Sequence, residues 1–280
     1  MLVAGVDVGA ATAKTAIVRD GVMIGWAVQP TGDYVEEAAN EVTQKALEVA
    51  GIKMADLDYV CSTGYGRRAV KFSDKAISEI ICHAKGVNAM HPQVRTIIDI
   101  GGQDSKVISV RPNGTVADFV MNDKCAAGTG RFLEVMAEVL KLTIDEMGPE
   151  ALKSAKPASI NSTCTIFAES EMVSLRADRT PREDMVAGIH RAVSRRVAIM
   201  GRTVGYRDTV AFTGGVAKNI GIKHFLEETL KTEILVPVQP QIMGALGAAL
   251  LADAKVGTTD FARDDRPKDD AASIMQSGEI

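Results

Sequence analysis

The sequence predicts an α/β fold built from two related halves with a cleft between them. Segments with the apolar character of strands alternate with segments of helical periodicity along most of the chain. A hairpin pattern also occurs twice, as VDVGAATAKTAIVRDG at 6–21 and as IDIGGQDSKVISVRPNG at 98–114. At a constant offset of 92 residues the matched positions are Asp7 with Asp99, Gly9 with Gly101, and Lys14 with Lys106. The chain therefore repeats one hairpin in two halves.

The first half begins with one copy of this repeat. Each copy reads as an apolar strand, a tight turn that contains glycine, and a second strand, followed by a further turn at Asp20-Gly21 or Asn113-Gly114. Apolar residues at helical spacing then predict helices at 34–50 and 74–90. Between them, DYVCSTGYG at 58–66 predicts a strand that ends in a glycine loop.

The second half continues with alternating elements. Residues 131–142, RFLEVMAEVLKL, predict an amphipathic helix. The later elements are a strand, turn and helix within 158–177, a helix at 183–204, a strand and glycine turn at 209–219, a helix at 221–231, a strand at 233–237, and a helix at 241–252 whose glycines and alanines permit close backbone approach. We expect a first half at 1–95, a second half at 96–255 that carries the candidate metal-binding cysteines, and a polar tail at 256–280.

Composition restricts the function classes. The chain has 280 residues, of which 46% are hydrophobic and 24% charged, which is ordinary globular composition. A formal net charge of −4 gives no indication of nucleic-acid binding. No run of 18 apolar residues predicts a membrane span, and the N-terminus reads as a first strand and not as a signal peptide. We expect a cytoplasmic protein, in which structural disulfides are rare.

The two Asp-x-Gly turns suit a triphosphate if they face each other. Glycine lets backbone N–H groups approach phosphate oxygens, and Thr12, Lys14 and Lys106 can add side-chain donors. Asp7 and Asp99 would lie at strand ends, placed to hold Mg²⁺ through water, because Mg²⁺ prefers oxygen ligands and keeps part of its hydration shell. The alternative is two ordinary hairpins, which the constant offset and a third glycine turn, TGGVAKN, disfavour.

Two other nucleotide-binding motifs do not fit the first turn. A P-loop requires GxxxxGK[ST], but GAATAKT at 9–15 has alanine where the second glycine belongs. A Rossmann fingerprint requires GxGxxG after the first strand, and GVDVGAAT does not contain it.

Seven motifs in order resemble one family. DVGAATAK, STGYGR, DIGGQDSK, NDKCAAGTGRFLE, STCTIFAESE, TGGVAKN and GALGAAL are similar to the motifs of the ATP-dependent activators of 2-hydroxyacyl-CoA dehydratases and of the related ATP-binding subunits of benzoyl-CoA reductases. Both groups belong to the actin/Hsp70/sugar-kinase superfamily. The resemblance runs from about residue 3 to residue 253 and implies an actin-like ATPase fold, which is a duplicated ribonuclease H-like unit.

The resemblance also implies roles for particular residues. The first phosphate loop would contain Asp7, Gly9, Ala10, Ala11, Thr12 and Lys14, and the second Asp99, Gly101, Gly102, Gln103 and Lys106. A connecting segment near the nucleotide would contain Gly128, Thr129 and Gly130, and an adenosine loop Gly214, Gly215, Val216, Lys218 and Asn219. Asp104 or Gln103 would position the water that attacks the γ-phosphate of ATP.

The four cysteines fall into two pairs. Cys61 lies in a predicted strand and Cys82 in an apolar helix, so both are expected in the core. Cys125 and Cys164 would each lie just before a helix N-terminus, where backbone donors and the helix dipole favour a thiolate or a cluster. A [4Fe–4S] cluster needs four thiolates, and two chains that each supply this pair would complete the set. The resemblance implies that arrangement, with one cluster bridging two subunits.

The function implied by the resemblance is ATP-driven electron transfer. The chain would hydrolyse Mg-ATP, receive an electron from ferredoxin or flavodoxin and pass it at low potential to a reductase or dehydratase that acts on a CoA thioester. A loop shift on loss of the γ-phosphate would move the helix beside the cluster. The acidic tail favours an ATPase subunit of benzoyl-CoA reductase, paired with a paralogous subunit. The alternative is a homodimeric dehydratase activator.

Two functions of other classes stay open. The ATP loops alone would permit a small-molecule kinase of the superfamily, although the 92-residue interval between phosphate loops leaves little room for a substrate subdomain. The chain could also be an iron–sulfur redox sensor that uses ATP only as a conformational ligand.

Overall fold

The computed structural model describes residues 1–160 and 164–254, and the strands of the first half form one five-stranded sheet. Strands β1 (Leu2–Val8), β2 (Thr12–Arg19) and β3 (Val22–Pro30) make an antiparallel meander, and helix α1 (Val35–Ala50) leads to β4 (Tyr59–Thr63) and β5 (Lys75–Ala76). β4 pairs parallel to β1, so the strand order is β3-β2-β1-β4-β5. Helix α2 (Glu79–Met90) leads to the second half.

The second half repeats this sheet. The strands are β6 (Thr96–Ile100), β7 (Ser105–Val110), β8 (Val116–Asn122), β9 (Val210–Thr213) and β10 (Ile234–Leu235), in the order β8-β7-β6-β9-β10. The helices are α3 (Gly130–Leu140), α4 (Ile144–Ala151), α5 (Thr165–Ala177), α6 (Arg182–Gly201), α7 (Ile220–Leu230) and α8 (Met243–Asp253). The shared strand order confirms the actin-like ATPase fold, a duplicated ribonuclease H-like unit.

The central strand of the first sheet is covered by helices on both faces. In β1, LVAGVDV, every residue after Leu2 is buried, as expected for a strand between two helical layers. Helix α1 packs on one face of this sheet and α8 on the other. The predicted close approach of α8 is confirmed, because a Cβ atom at Gly247 would collide with the carbonyl oxygen of Cys82 on α2.

Helix α8 crosses the expected domain boundary. It follows the last strand of the second half, yet it packs on β1, β2 and β4 of the first sheet. The sheets therefore follow the division at residue 95, whereas α8 does not. The division into 1–95, 96–255 and 256–280 stays a prediction, and its tail lies outside the described residues.

Most predicted elements are present, with the following differences. The helix expected at 74–90 begins at Glu79, because Lys75 and Ala76 pair with β4. Strands β3 and β8 and helix α4 were not predicted. The strand expected near 158 is not formed at 158–160, and the rest of that segment, 161–163, lies outside the described residues. Within the described part of the chain, no helix is long and apolar enough to cross a membrane.

Candidate nucleotide cleft and cysteine segments

The two hairpin turns have the same internal geometry. In the first hairpin Asp7 pairs with Lys14, and in the second Asp99 pairs with Lys106. Gly9 donates a backbone hydrogen bond to the carbonyl of Thr12 at 3.0 Å, and Gly101 donates the equivalent bond to Asp104 at 2.9 Å. The repeat seen in the sequence is therefore a repeat of backbone geometry.

Both turns line one cleft of about 520 Å³. The cleft brings together nearly all residues that were predicted to bind nucleotide or act on it, namely Asp7, Gly9, Ala10, Ala11, Thr12, Lys14, Asp99, Gly101, Gly102, Gln103, Asp104, Lys106, Gly130, Gly214, Gly215, Val216, Lys218 and Asn219. Two predicted residues do not line it. Thr129 is buried as the residue before α3, and Gly128 lines a separate cavity.

A buried lysine connects the carboxylates at the base of the cleft. The Nζ atom of Lys106 lies 2.6 Å from Asp104 Oδ2, 3.4 Å from Asp99 Oδ2 and 3.3 Å from Glu79 Oε1. Burial by itself would lower the pKa of Lys106, but Asp99, Asp104 and Glu79 raise it above its ordinary value. The lysine therefore stays charged and fixes the positions of three carboxylates.

Asp99 stays ionised although it is fully buried. Burial opposes its ionisation, but His83, Lys106 and a 2.8 Å hydrogen bond from Thr213 bring the pKa of Asp99 to about 2. His83 Nδ1 lies 3.5 Å from Asp99 Oδ1. The second carboxylate, Asp7, is also buried and lies 3.4 Å from Lys14 Nζ.

The acidic base of the cleft fits a hydrated Mg²⁺ ion. Asp7 and Asp99 offer carboxylate oxygens, the ligand type that Mg²⁺ prefers. Glycines keep space beside Asp7, because a Cβ atom at Gly244 would lie 3.0 Å from its Oδ2 atom. Among the described residues, no group of three or more His, Cys, Asp or Glu side chains is arranged to hold a metal ion alone. These residues fit an ion held mainly by water and phosphate oxygens.

Sequence reasoning missed part of the cleft wall. The first half adds Gly64, Tyr65, Glu79 and His83, and the second half adds Leu133, Glu134, Ile144, Asp145, Gly148, Pro149, Ile220 and Gln241. The STGYG motif, which contains Gly64 and Tyr65, was part of the resemblance but was assigned no role in nucleotide binding. Helix α4 was missed because Gly148 and Pro149 are poor helix formers. Glu79 and His83 carried no signal, since both lie in an apolar helical run.

The second phosphate loop is bonded directly to helix α3. The backbone N–H of Gly130 donates to the carbonyl of Gly101 at 2.9 Å, and that of Arg131 donates to Gly102 at 2.7 Å. The first N–H groups of a helix have no partner inside the helix, so here the loop supplies it. These two bonds connect the loop carbonyls to the start of α3.

The structure corrects the expected position of Cys125. Helix α3 begins at Gly130 with Thr129 as its cap, so Cys125 lies in a turn and not at the helix N-terminus. The hydroxyl of Thr129 donates to the carbonyl of Ala126 at 2.7 Å, and Asn122 Nδ2 donates to the carbonyl of Cys125 at 2.8 Å. These bonds hold the segment 122–129, which we call the Cys125 segment, in a compact turn that leads into α3.

Cys164 occupies the position predicted for it, as the residue that caps α5. Its side chain is exposed and that of Cys125 is partly buried, whereas Cys61 and Cys82 are buried as expected. Burial raises the pKa of Cys61 to about 12 and raises that of Cys82 as well, so neither thiol ionises readily. Cys125 and Cys164 are thus the two cysteines whose side chains are not buried.

The fold and the cleft define an ATP-binding protein of the actin-like type. Residues 4–252 match the model of the BadF/BadG/BcrA/BcrD ATPase family. The activator of lactoyl-CoA dehydratase from Anaerotignum propionicum is 46% identical over 252 residues, which are 90% of this chain and 97% of that protein. The chain therefore belongs to the BadF/BadG/BcrA/BcrD ATPase family, and it is an ATPase.

Two solved structures are closely similar. The crystal structure of component A of (R)-2-hydroxyglutaryl-CoA dehydratase from Acidaminococcus fermentans has a TM-score of 0.88 and 44% identity, and covers 91% of this chain and 98% of that one. The activator of 2-hydroxyisocaproyl-CoA dehydratase from Clostridium difficile, with bound ADPNP, has a TM-score of 0.86 and 43% identity over 91% and 95% of the two chains.

The similarities correct the emphasis placed on benzoyl-CoA reductase. One of the subunits of that enzyme from Thauera aromatica is 30% identical over 261 residues, covering 89% of this chain and 92% of that protein. The dehydratase activators are more similar, so the function of a dehydratase activator is better supported than that of a benzoyl-CoA reductase subunit. The main reading rested on the acidic tail, which lies beyond the residues matched by the family model.

Proposed function

We propose that this protein is an ATP-hydrolysing electron-transfer activator of a dehydratase that acts on a 2-hydroxyacyl-CoA thioester. It would work as a homodimer in the cytoplasm, with one [4Fe–4S] cluster between its subunits and ferredoxin or flavodoxin as electron donor. Similarity to dehydratase activators supports the partner class. The observation that carries the coupling is the pair of hydrogen bonds from Gly130 and Arg131 to the second phosphate loop.

The cleft residues would bind Mg-ATP from both sides. Backbone N–H groups of the loops at Gly9–Thr12 and Gly101–Gln103 would contact the phosphates, while Asp7 and Asp99 would hold Mg²⁺ through water. The adenosine would lie against Gly214–Val216, with Lys218 and Asn219 beside it. Asp104 is the stronger candidate for orienting the attacking water, because it is buried and fixed by Lys106, whereas Gln103 is exposed.

Cys125 and Cys164 of each subunit would hold the cluster. When bound, such a cluster supplies one-electron transfer at a potential set by its hydrogen bonds and exposure. The exposed thiol at the N-terminus of α5 favours an anionic group there. The Cys125 segment leads into α3, and the first N–H groups of α3 are bonded to Gly101 and Gly102. Loop movement on γ-phosphate loss would reach the Cys125 segment through these bonds.

The surface of α5 supports a dimer at this place. Ile166 and Phe167 lie in the first turn of α5, two and three residues after Cys164, and are 71% and 67% exposed, and Val173 two turns later is 63% exposed. Adjacent large apolar side chains at such exposure are typical of an interaction surface. A second copy of the chain would cover this face and bring its own two cysteines.

The proposal is tested by anaerobic purification and iron analysis. We expect about two iron atoms per chain, the share of one [4Fe–4S] cluster between two chains. Cys125→Ala and Cys164→Ala should each remove the cluster, whereas the buried control Cys61→Ala should retain it. Sedimentation should show dimers, and Phe167→Glu should give monomers without iron. A colourless, iron-free protein that phosphorylates a metabolite would instead establish the kinase alternative.

A further inference from the structure

A second cavity of about 530 Å³ lies on the other face of β7 from the nucleotide cleft. Ser105 lines this cavity, whereas its neighbours Asp104 and Lys106 line the cleft, as the alternation of side chains along a strand requires. The other walls come from the Cys125 segment and helix α3, and from the second half of α6. The cavity is therefore separated from the nucleotide cleft by one strand.

The cavity is positively charged. Among the described residues, the charged ones that line it are Arg195 and Arg196 and none is acidic, whereas the nucleotide cleft is lined by six carboxylates. Neither arginine makes a salt bridge with any residue in the described part of the chain. The remaining wall is largely apolar. Two guanidinium groups that have no acidic partner among the described residues, above an apolar wall, favour an anionic occupant.

Arg196 packs against the Cys125 segment. Gly128 has a φ of +91°, and a Cβ atom placed on it would lie 3.1 Å from Cδ of Arg196. Ala127 and Asn122 line the same cavity, and Asn122 Nδ2 donates to the carbonyls of both Cys125 and Ala127. An occupant of the cavity would therefore lie beside the segment that carries Cys125.

The basic and apolar character of the cavity continues onto the protein surface. Arg195 is exposed, and Ile199, one turn further along α6, is 60% exposed while it also lines the cavity. A small ligand would be enclosed by the cavity alone. A basic and apolar surface that continues outward fits the acidic face of a folded protein better.

We propose that this cavity and its rim are the docking site for an acidic electron-donor protein with a low-potential iron–sulfur or flavin centre. The inference rests on the proposed function and names where the electron enters. The donor's reduced centre would give up one electron and so be oxidised, and a cluster held by Cys125 and Cys164 would accept that electron and so be reduced. No bond is formed or broken. Attraction between the arginines and donor carboxylates would steer the encounter.

The test uses the iron-loaded dimer and a reduced, acidic two-cluster ferredoxin as probe. Arg195→Glu should lower the ratio of the ferredoxin-driven to the dithionite-driven reduction rate by about tenfold at low salt, because it reverses a steering charge. Arg195→Lys should retain most of the ratio. Calorimetry with oxidised ferredoxin should show a parallel loss of affinity. The difference between Arg195→Glu and the unmodified protein should shrink at high salt.

The matched control is Arg202→Glu, a charge reversal at an exposed arginine just after α6 and outside the cavity lining. It should behave as the unmodified protein. Equal effects of the two reversals, or no effect of Arg195→Glu, would overturn the docking site. Inorganic phosphate that binds the cavity without competing with ferredoxin would assign it to a small anion instead. Iron analysis comes before any donor is added. A protein without iron would therefore refute the proposed function separately from the docking site.

Discussion

His190, a residue of helix α6, contacts Asn219, which caps helix α7 and lines the nucleotide cleft. Its Nε2 atom is 3.1 Å from Asn219 Oδ1, and its Nδ1 atom is 2.8 Å from the carbonyl oxygen of Val186. The same Oδ1 atom accepts backbone hydrogen bonds from Gly221 and Ile222 and so caps α7. A fully buried imidazole thus supports the end of the predicted adenosine loop.

The burial of His190 predicts a loss of stability in acid. Burial lowers the pKa of His190 to about 4, against an opposing effect of its two hydrogen bonds, while the unfolded chain keeps the ordinary value near 6.5. The stabilisation is therefore present above pH 6.5 and is lost as the pH falls towards 4, by up to about 3 kcal/mol. Chemical denaturation of His190→Gln should show a flatter pH dependence in this range. The exposed control His224→Gln should keep the slope of the unmodified protein.

The contact between the two phosphate loops predicts a rescue experiment. A Cβ atom at Gly102 would collide with the methyl group of Ala11 across the cleft. We expect Gly102→Ala to weaken ATP binding at least tenfold, because the loops can no longer close on the phosphates. Ala11→Gly removes the opposing methyl group, so the double variant should recover most of the affinity by calorimetry. Additive effects of the two substitutions would show that the contact does not matter for binding.

Asp104 is expected to act on hydrolysis more than on binding. Replacement by Asn should lower kcat about 100-fold or more, the usual effect of removing a group that orients a reacting water, with little change in the Kd for ADP. Gln103→Ala should have a smaller effect because its side chain is exposed and free of the Lys106 contact. Single-turnover hydrolysis of radiolabelled ATP measures the rate. A larger effect at Gln103 would reverse the assignment.

His83 is expected to position Asp99. Its Nδ1 atom is buried, has no hydrogen-bond partner among the described residues, and lies 3.5 Å from Asp99 Oδ1. Asparagine places an amide nitrogen near the Nδ1 position and glutamine near Nε2. His83→Asn should therefore keep Mg²⁺-dependent ADP binding within about threefold, whereas His83→Gln and His83→Ala should weaken it about tenfold, because they lose the close electrostatic contact of Nδ1 with Asp99.

The control for this series is His91→Ala, at the end of the same helix and outside the cleft. Binding should be measured with Mg²⁺ and with EDTA, since a purely structural defect would lower both. Equal binding by the Asn and Gln variants would contradict a role for Nδ1.

The parts of the fold that were predictable are those encoded by local pattern. The hairpin repeat predicted that Asp7 and Lys14 would be paired in the same way as Asp99 and Lys106, and the structure confirms both registers. Strand alternation and glycine turns act over a few residues, so one sequence is enough to read them.

The parts that were missed depend on long-range packing. Glu79 and His83 reach the cleft only because α2 packs against α8, far away in the sequence. Cys125 was expected just before a helix start because it precedes AAGTGRFLEVMAEVL in the sequence. Helix α3 begins only at Gly130, and its first two N–H groups are bonded to Gly101 and Gly102, which lie beside it only in the folded chain. Neither arrangement leaves a periodic signal.

The return of α8 to the first sheet has a consequence for synthesis on the ribosome. The strand made first, β1, has one face that only the helix made last among the described elements can cover. The nascent amino-terminal half therefore keeps a hydrophobic surface exposed until residue 253 has left the exit tunnel. We therefore expect a chain that ends before α8 to leave this face of the first sheet uncovered.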